Sequence, residues 1–174
     1  MLNNIIKIAA LAVGGVLLSQ LGKPRSAGKS ASLEESIEVE VPVSTAYELW
    51  TRFEDYPKFM ENVHEVRLLD DTHLHWRAVV GGKEKEWDTE IIERIPYMRI
   101  AWRSIRGAKN SGLVSFHKIS DNTTKVMLKI DCVLDERRDS LEAARMQAVG
   151  SLKGFKSMLE NGASEAWRGN VEQH

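Results

Sequence analysis

His73-Leu74-His75 puts two imidazoles on one face of a strand, a spacing that some metal sites use. No third ligand is identifiable beside them, and Cys132 is the only cysteine, so a Cys-based metal cluster is excluded. The pair therefore reads as solvated strand residues, as do His117 and Asp131, and no metal or cofactor is expected. Chemistry inside a cavity would need other groups. The inward polar candidates are Thr89 and Cys132, with Ser104 and Tyr56 near possible mouths. Enolising a ketone or assisting loss of water takes an acid/base pair, and none of these four pairs with an inward His, Asp or Glu. Ser-His-Asp arrangements, phosphate-binding glycine loops and nucleotide fingerprints are also absent from the sequence. No catalytic residue is assigned, which favours a binder over an enzyme. The loop from Ile105 through Arg106, Gly107, Ala108, Lys109 and Asn110 to Ser111 is basic and contains glycine. It reads either as a gate touching anionic headgroups or as an ordinary solvated hairpin loop.

The elements that would position these groups follow from periodicity. Asp139 with Glu142 forms a capping box, and Leu141, Ala144, Ala148, Leu152, Phe155 and Leu159 recur at three- and four-residue steps. They predict a final helix from Asp139 to about Gly162, roughly 23 residues and about 35 Å long. Before it the chain is β-rich. Ser36–Val41 alternates and ends at Pro42; Thr45 with Glu48 caps a short helix through Trp50 and Phe53. The Glu54–Pro57 step breaks that helix, and Lys58-Phe59-Met60 makes one more turn. Six further strands are read at Val63–Leu69, His73–Val80, Lys83–Ile95, Arg99–Ser104, Ser111–Ile119 and Thr124–Val133. Short connectors, above all Gly81-Gly82, make neighbours antiparallel. Period two turns Trp76, Trp87, Ile91, Trp102, Phe116, Leu128 and Ile130 toward the final helix, and His75, Arg77, Glu86, Asp88 and Arg103 toward water.

Ile5 to Leu18 is apolar except for Lys7. Residues 1–21 read as a membrane anchor or a signal-like segment, since about 31 Å of helix suffices to span if Lys7 snorkels. Lys23, Arg25 and Lys29 outnumber Lys7, which places the following domain in the cytoplasm. Residues 22–32 form a Ser/Gly/Lys linker, 33–162 the domain and 163–174 a tail that Trp167 could dock. Net charge is −1, but residues 1–31 hold four cations and no acid, leaving 20 Lys+Arg against 25 Asp+Glu in the body. An acidic body argues against a nucleic-acid partner; the oligomeric state is not readable.

Ile37-x-Val39, Pro42, Ala46 and Trp50-Thr51-x-Phe53-Glu54-x-Tyr56-Pro57-x-Phe59-Met60 together resemble the opening of the polyketide cyclase/dehydrase family. That family includes coenzyme Q-binding START-domain proteins. His75-Trp76, Trp87-Asp88, Ile100-Ala101-Trp102-Arg103-Ser104 and Gly112-x-Val114-x-Phe116 resemble its middle signatures. The resemblance covers about residues 33–160. It implies an α+β, START-like (SRPBCC) helix-grip fold: a seven-stranded antiparallel sheet around a long C-terminal helix, with two short helices after strand 1. The inward aromatics alone are compatible with a filled core; the resemblance implies a cavity instead. The expected lining is Trp76, Trp87, Ile91, Trp102, Phe116, Leu128, Ile130, Leu152, Phe155 and Leu159, with Tyr56, Phe59, Met60 and Gly107 at the mouth. The expected function is membrane-tethered binding of a lipid, quinone or polyprenoid, with that molecule as ligand rather than cofactor. A polyketide-type cyclase/dehydratase and a ligand-free protein-interaction module are the alternatives. Mid-helix Gly150 and Gly154 cost about 1 kcal/mol each relative to alanine, which calls for close packing or a bend.

Overall fold

The computed structural model describes residues 29–134 and 141–171, with side chains through residue 162. Seven strands form one antiparallel sheet: β1 (Lys29–Val39), β2 (Val63–Leu68), β3 (His73–Val80), β4 (Lys83–Ile95), β5 (Arg99–Gly107), β6 (Asn110–Ser120) and β7 (Thr123–Leu134). Their spatial order is β1-β7-β6-β5-β4-β3-β2. Helix α1 (Val43–Trp50) and a 3-10 segment (Phe53–Lys58) sit between the two edge strands in sequence, and α2 (Leu141–Val171) closes the fold. This is the expected α+β helix-grip arrangement.

Of the register irregularities in the sheet, two lie between β4 and β5 and shape its middle. Ile105 is inserted on β5 opposite the Asp88/Thr89 step, and Ile92 on β4 opposite the Trp102/Ala101 step. An extra residue on one strand bends it and increases its twist, so the middle of the sheet curls toward the helix. The Gly81-Gly82 turn has φ of +60° and +72°, the double positive φ of a type I′ hairpin.

Several boundaries differ from the sequence reading. Strand β1 begins at Lys29, so Lys29–Ser32 of the expected linker pair with β7, Lys29 opposite Leu134. A tertiary partner supplies hydrogen bonds that local composition does not reveal. Helix α1 starts directly after Pro42, without a side-chain cap from Thr45, and stops at Trp50. Residues 53–58 continue as the 3-10 segment, with Pro57 inside it. The final helix runs past Gly162 to Val171. Gly162 has no positive φ, and without a left-handed residue a glycine weakens a helix rather than ending it. Asp139 and residues 1–28 lie outside the described residues, as do the side chains of the tail, Trp167 included.

The antiparallel register gives the sheet two ends. At one, called open here, lie the β3–β4 and β5–β6 turns, the start of β1, the end of β7 and the first turns of α2. At the other, the closed end, α1, the 3-10 segment and residues 152–159 of α2 meet. There Trp50 packs edge-on to Phe155 at 4.8 Å between ring centroids, and Phe59 lies 5.4 Å from Phe155. Phe116 joins through Tyr47 at 5.6 Å. The close approach is possible because residue 154 is glycine: a Cβ there would collide with the Phe59 carbonyl oxygen. Gly150, one turn earlier, faces open space.

Candidate ligand-binding site

The open half of the grip encloses a cavity of about 1230 Å³, larger than the roughly 300–1,000 Å³ typical of small-molecule sites. Its floor is the aromatic cluster: Trp50, Phe53 and Tyr56, with Leu74 and Ile100 from the sheet. Trp50 is the last residue of α1, where carbonyls lack intrahelical partners. The Tyr56 hydroxyl donates to the Trp50 carbonyl at 2.9 Å, which fixes the floor. Burial pushes the Tyr56 phenol well above the usual tyrosine range, so it stays protonated as a donor.

The sheet wall carries flat indoles. Trp76 on β3 and Trp87 on β4 are opposite one another and stack, with planes 8° apart and centroids at 5.7 Å. The Trp76 Nε1–H donates to the Thr89 Oγ1 at 2.9 Å, and Thr89 is fully buried. The polar edge of that indole is thus satisfied by the protein, leaving its π face for a ligand. Trp102 lies across β6, where a Cβ on Gly112 would overlap the indole ring. The helix side is small: Ala143, Ala144 and Ala148, with Gln147 and Ser151 as its polar members. The rim holds Lys85 and Glu86 after the Gly81-Gly82 turn, Lys109 and Asn110 in the next turn, and Cys132 to Leu134 at the end of β7.

Of the expected lining, Trp76, Trp87, Ile91, Trp102, Leu128 and Ile130 come together here. Phe116, Leu152, Phe155 and Leu159 do not; they are buried in the closed core, where Phe155 packs on Trp50 and Phe59. Among the expected mouth residues, Tyr56 and Met60 face the cavity but are buried in the floor. Phe59 turns its backbone to α2, outside the cavity. Gly107 is not in the lining; with φ +81° it lets β5 pass close to β4, where a Cβ would collide with the Glu86 carbonyl oxygen. Leu33, Asn62, Val63, Gln147 and Ser151 line the cavity without having been singled out, and Ala108 of the basic loop joins them. A signal for the helix side was present: after Leu141 the apolar stripe of α2 is alanine at 144 and 148, then Leu/Phe from 152 to 159.

The outer face of the sheet also departs from expectation. His75 and Asp88 are buried, at 9% and 8% exposure, rather than wet. They face each other across β3 and β4, with His75 Nδ1 2.7 Å from an Asp88 oxygen, and Arg106 Nε donates to the other at 2.6 Å. The Arg106 hydrogen bond, helped by His75, holds the Asp88 carboxyl below the usual carboxylate range against its own desolvation. By strand alternation this cluster is across the sheet from Trp76 and Trp87, so it cannot touch a molecule in the cavity. His73 is engaged separately, with Asp70 at 2.8 Å. Thr72 and His73 hydrogen bonds pull Asp70 down to about 2.

A sheet gripping a helix around an aromatic-walled cavity defines a START-like binding fold. The chain belongs to the polyketide cyclase/dehydrase and lipid transport family, whose model matches residues 39–147. It is 43% identical over 148 residues to an uncharacterized 17.2 kDa protein of Streptomyces lincolnensis, covering 81% of this chain and 99% of that one. The Zhui aromatase/cyclase of a Streptomyces species superposes with a TM-score of 0.68 at 19% identity, covering 76% of this chain and 94% of its own. A START superfamily protein from Mycobacterium smegmatis gives 0.68 at 14% identity, over 75% and 97%. At those identities the two structures establish the fold. Among the described residues, no helix is long and apolar enough to cross a membrane.

Proposed function

We propose that this protein holds a large hydrophobic molecule, a quinone, polyprenoid or other lipid, in the cavity, and that residues 1–21 tether it to a membrane. The observation that carries the reading is the 1230 Å³ space walled by Trp76, Trp87 and Trp102. Apolar surface of that extent gains free energy by leaving water with a ligand, and flat indole faces favour conjugated or ring-bearing partners. The tether supports it in turn, because such ligands dissolve in bilayers. Quinones quench indole fluorescence on contact, so a short-chain ubiquinone analogue titrated into the detergent-solubilised full chain should give saturable quenching. Mass spectrometry of organic extracts should find a co-purified apolar molecule. The absence of both saturable quenching and a co-purified molecule would sink this reading.

Likeness to an aromatase/cyclase supports a second reading, a cyclase or dehydratase. The ionisable groups of the described lining are Tyr56, Lys85, Glu86, Lys109 and Cys132. Tyr56 is committed to the Trp50 carbonyl, the Lys85 and Lys109 charges lie at the rim, and the Glu86 side chain alternates onto the outer face with Asp88, so acid/base work would fall to the lysines at the mouth rather than over the tryptophans. Turnover of a poly-ketone mimic that is abolished by Lys85→Met would favour this second reading over simple binding.

A further inference from the structure

The position where the chain joins the sheet bears on how the cavity meets its surroundings. Lys29 opens β1 opposite Leu134, and of the next pairs, Ala31 with Cys132 and Leu33 with Ile130, Cys132, Leu33 and Ile130 line the cavity. The residues that precede Lys29 therefore reach the fold at the open end. From Leu21, the end of the apolar segment, to Lys29 is eight residues, at most about 28 Å even fully extended. Strand β1 alone, at 11 residues, runs about 36 Å from open to closed end. A segment held in a bilayer at Leu21 is too short to pass along the domain and present the closed end to the lipid.

The surface at the open end fits that placement. Ile105, Val133 and Leu141 are large apolar residues exposed at 50%, 43% and 40%, all on the open-end thirds of their elements; Leu68, Leu69, Tyr97, Met98 and Ile119 are likewise exposed toward the closed end, so the reach of the tether and not apolar exposure decides the orientation. Ile105 is the inserted residue of the β5 bulge, so the irregularity that curls the sheet also leaves an isoleucine in solvent. The charges around them are mixed, with Lys29, Lys83 and Lys109 beside Glu84, Glu86 and Glu142. Apolar contact rather than net charge would thus dominate the interaction. Exposed apolar side chains among polar ones can enter a lipid interface, and the tether sets which end meets it.

We propose that the open end of the grip, with Ile105, Val133 and Leu141 at its edge, is the face this protein lays on a phospholipid bilayer, so that the cavity mouth opens onto the membrane. The inference rests on the tethered-binder reading and adds its orientation. A ligand then moves between bilayer and cavity past Lys109 and Val133 without crossing bulk water.

The test uses the full chain in vesicles of phosphatidylethanolamine and phosphatidylglycerol that carry a nitroxide-labelled lipid. In a Cys132→Ser background, a fluorophore is placed at Ile105→Cys or Leu141→Cys on the open end, and at Asp71→Cys or Asp121→Cys on the closed end. All four positions are exposed, which keeps loss of folding from deciding the result. Open-end labels should lose most of their fluorescence to the nitroxide, and closed-end labels almost none. Equal quenching at both ends, or quenching at neither while the protein floats with the vesicles, overturns the orientation. So does an open-end label already shielded in detergent without lipid, which would place the chain's own apolar segment over the mouth. Failure to float with vesicles removes the tether itself. Quinone quenching of the tryptophans, measured on the unmodified chain in detergent, reports on the cavity independently of all four outcomes.

Discussion

Two successive stretches of α2 do opposite jobs with one helix. Residues 152–159 present Leu152, Phe155 and Leu159, all at 5% exposure or less, to a core with Trp50 and Phe59. The first turns present Ala143, Ala144 and Ala148 to the cavity. The sheet opposite hardly distinguishes them, since large residues face inward along its whole length. The difference shows that a cavity in a gripped-helix fold can be made by truncating side chains on the helix alone, while the closed half supplies the stability. Packing at the closed end resembles an ordinary domain interior; the open half keeps a shape without filling it.

That contrast can be broken first at Phe155. Phe155→Ala should destabilise the domain by about 3–5 kcal/mol, as large-to-small changes in a closed core do. Ile130→Ala, on the cavity wall, should cost only about 1 kcal/mol because part of its surface already faces a void. Urea melts of the two variants decide it, and equal losses would mean that the cavity wall is packed as tightly as the core. Next, Gly154→Ala should cost about 1–3 kcal/mol, because the added methyl meets the Phe59 backbone. Gly150→Ala, with open space around it, should instead stabilise by up to about 1 kcal/mol. Thermal melts of the pair should move in opposite directions.

Ala148→Trp should fill the open half and remove most quinone quenching while leaving the melting midpoint near that of the parent. Preserved saturable quenching would show that the ligand sits elsewhere. The smallest effect belongs to the outer face. Because the Asp88 pKa is depressed in the fold, its ion pair stabilises above the usual carboxylate range. That contribution is lost as pH falls through the lower native value. Asp88→Asn should therefore flatten the acid limb of a stability-against-pH curve below about pH 5. Quinone quenching at neutral pH should be unaffected, since Asp88 is across the sheet from the cavity.

Much of the architecture was legible in the sequence because period two and turn chemistry are local. Trp76 against Arg77, Val126 against Lys125 and the Gly81-Gly82 pair each carry their own instruction. Residues whose setting is decided by distant partners were not. His75 and Asp88 alternate onto the outer face as read, yet alternation says which side a residue takes and not what covers it; Arg106, 18 residues beyond Asp88, settles that. Whether inward residues enclose space was also not local. Leu128 and Phe116 are equally inward, but one borders the cavity and the other the Tyr47–Trp50 core. What packs against each from outside the sheet decides between them, and for Phe116 that is Tyr47 and Trp50 of α1.

Gly112 also bears on the interior. It does not line the cavity itself, yet a methyl at that position would overlap the Trp102 indole and crowd the Lys129 carbonyl of β7. The seat of one indole of the wall is therefore held open from a position outside the lining.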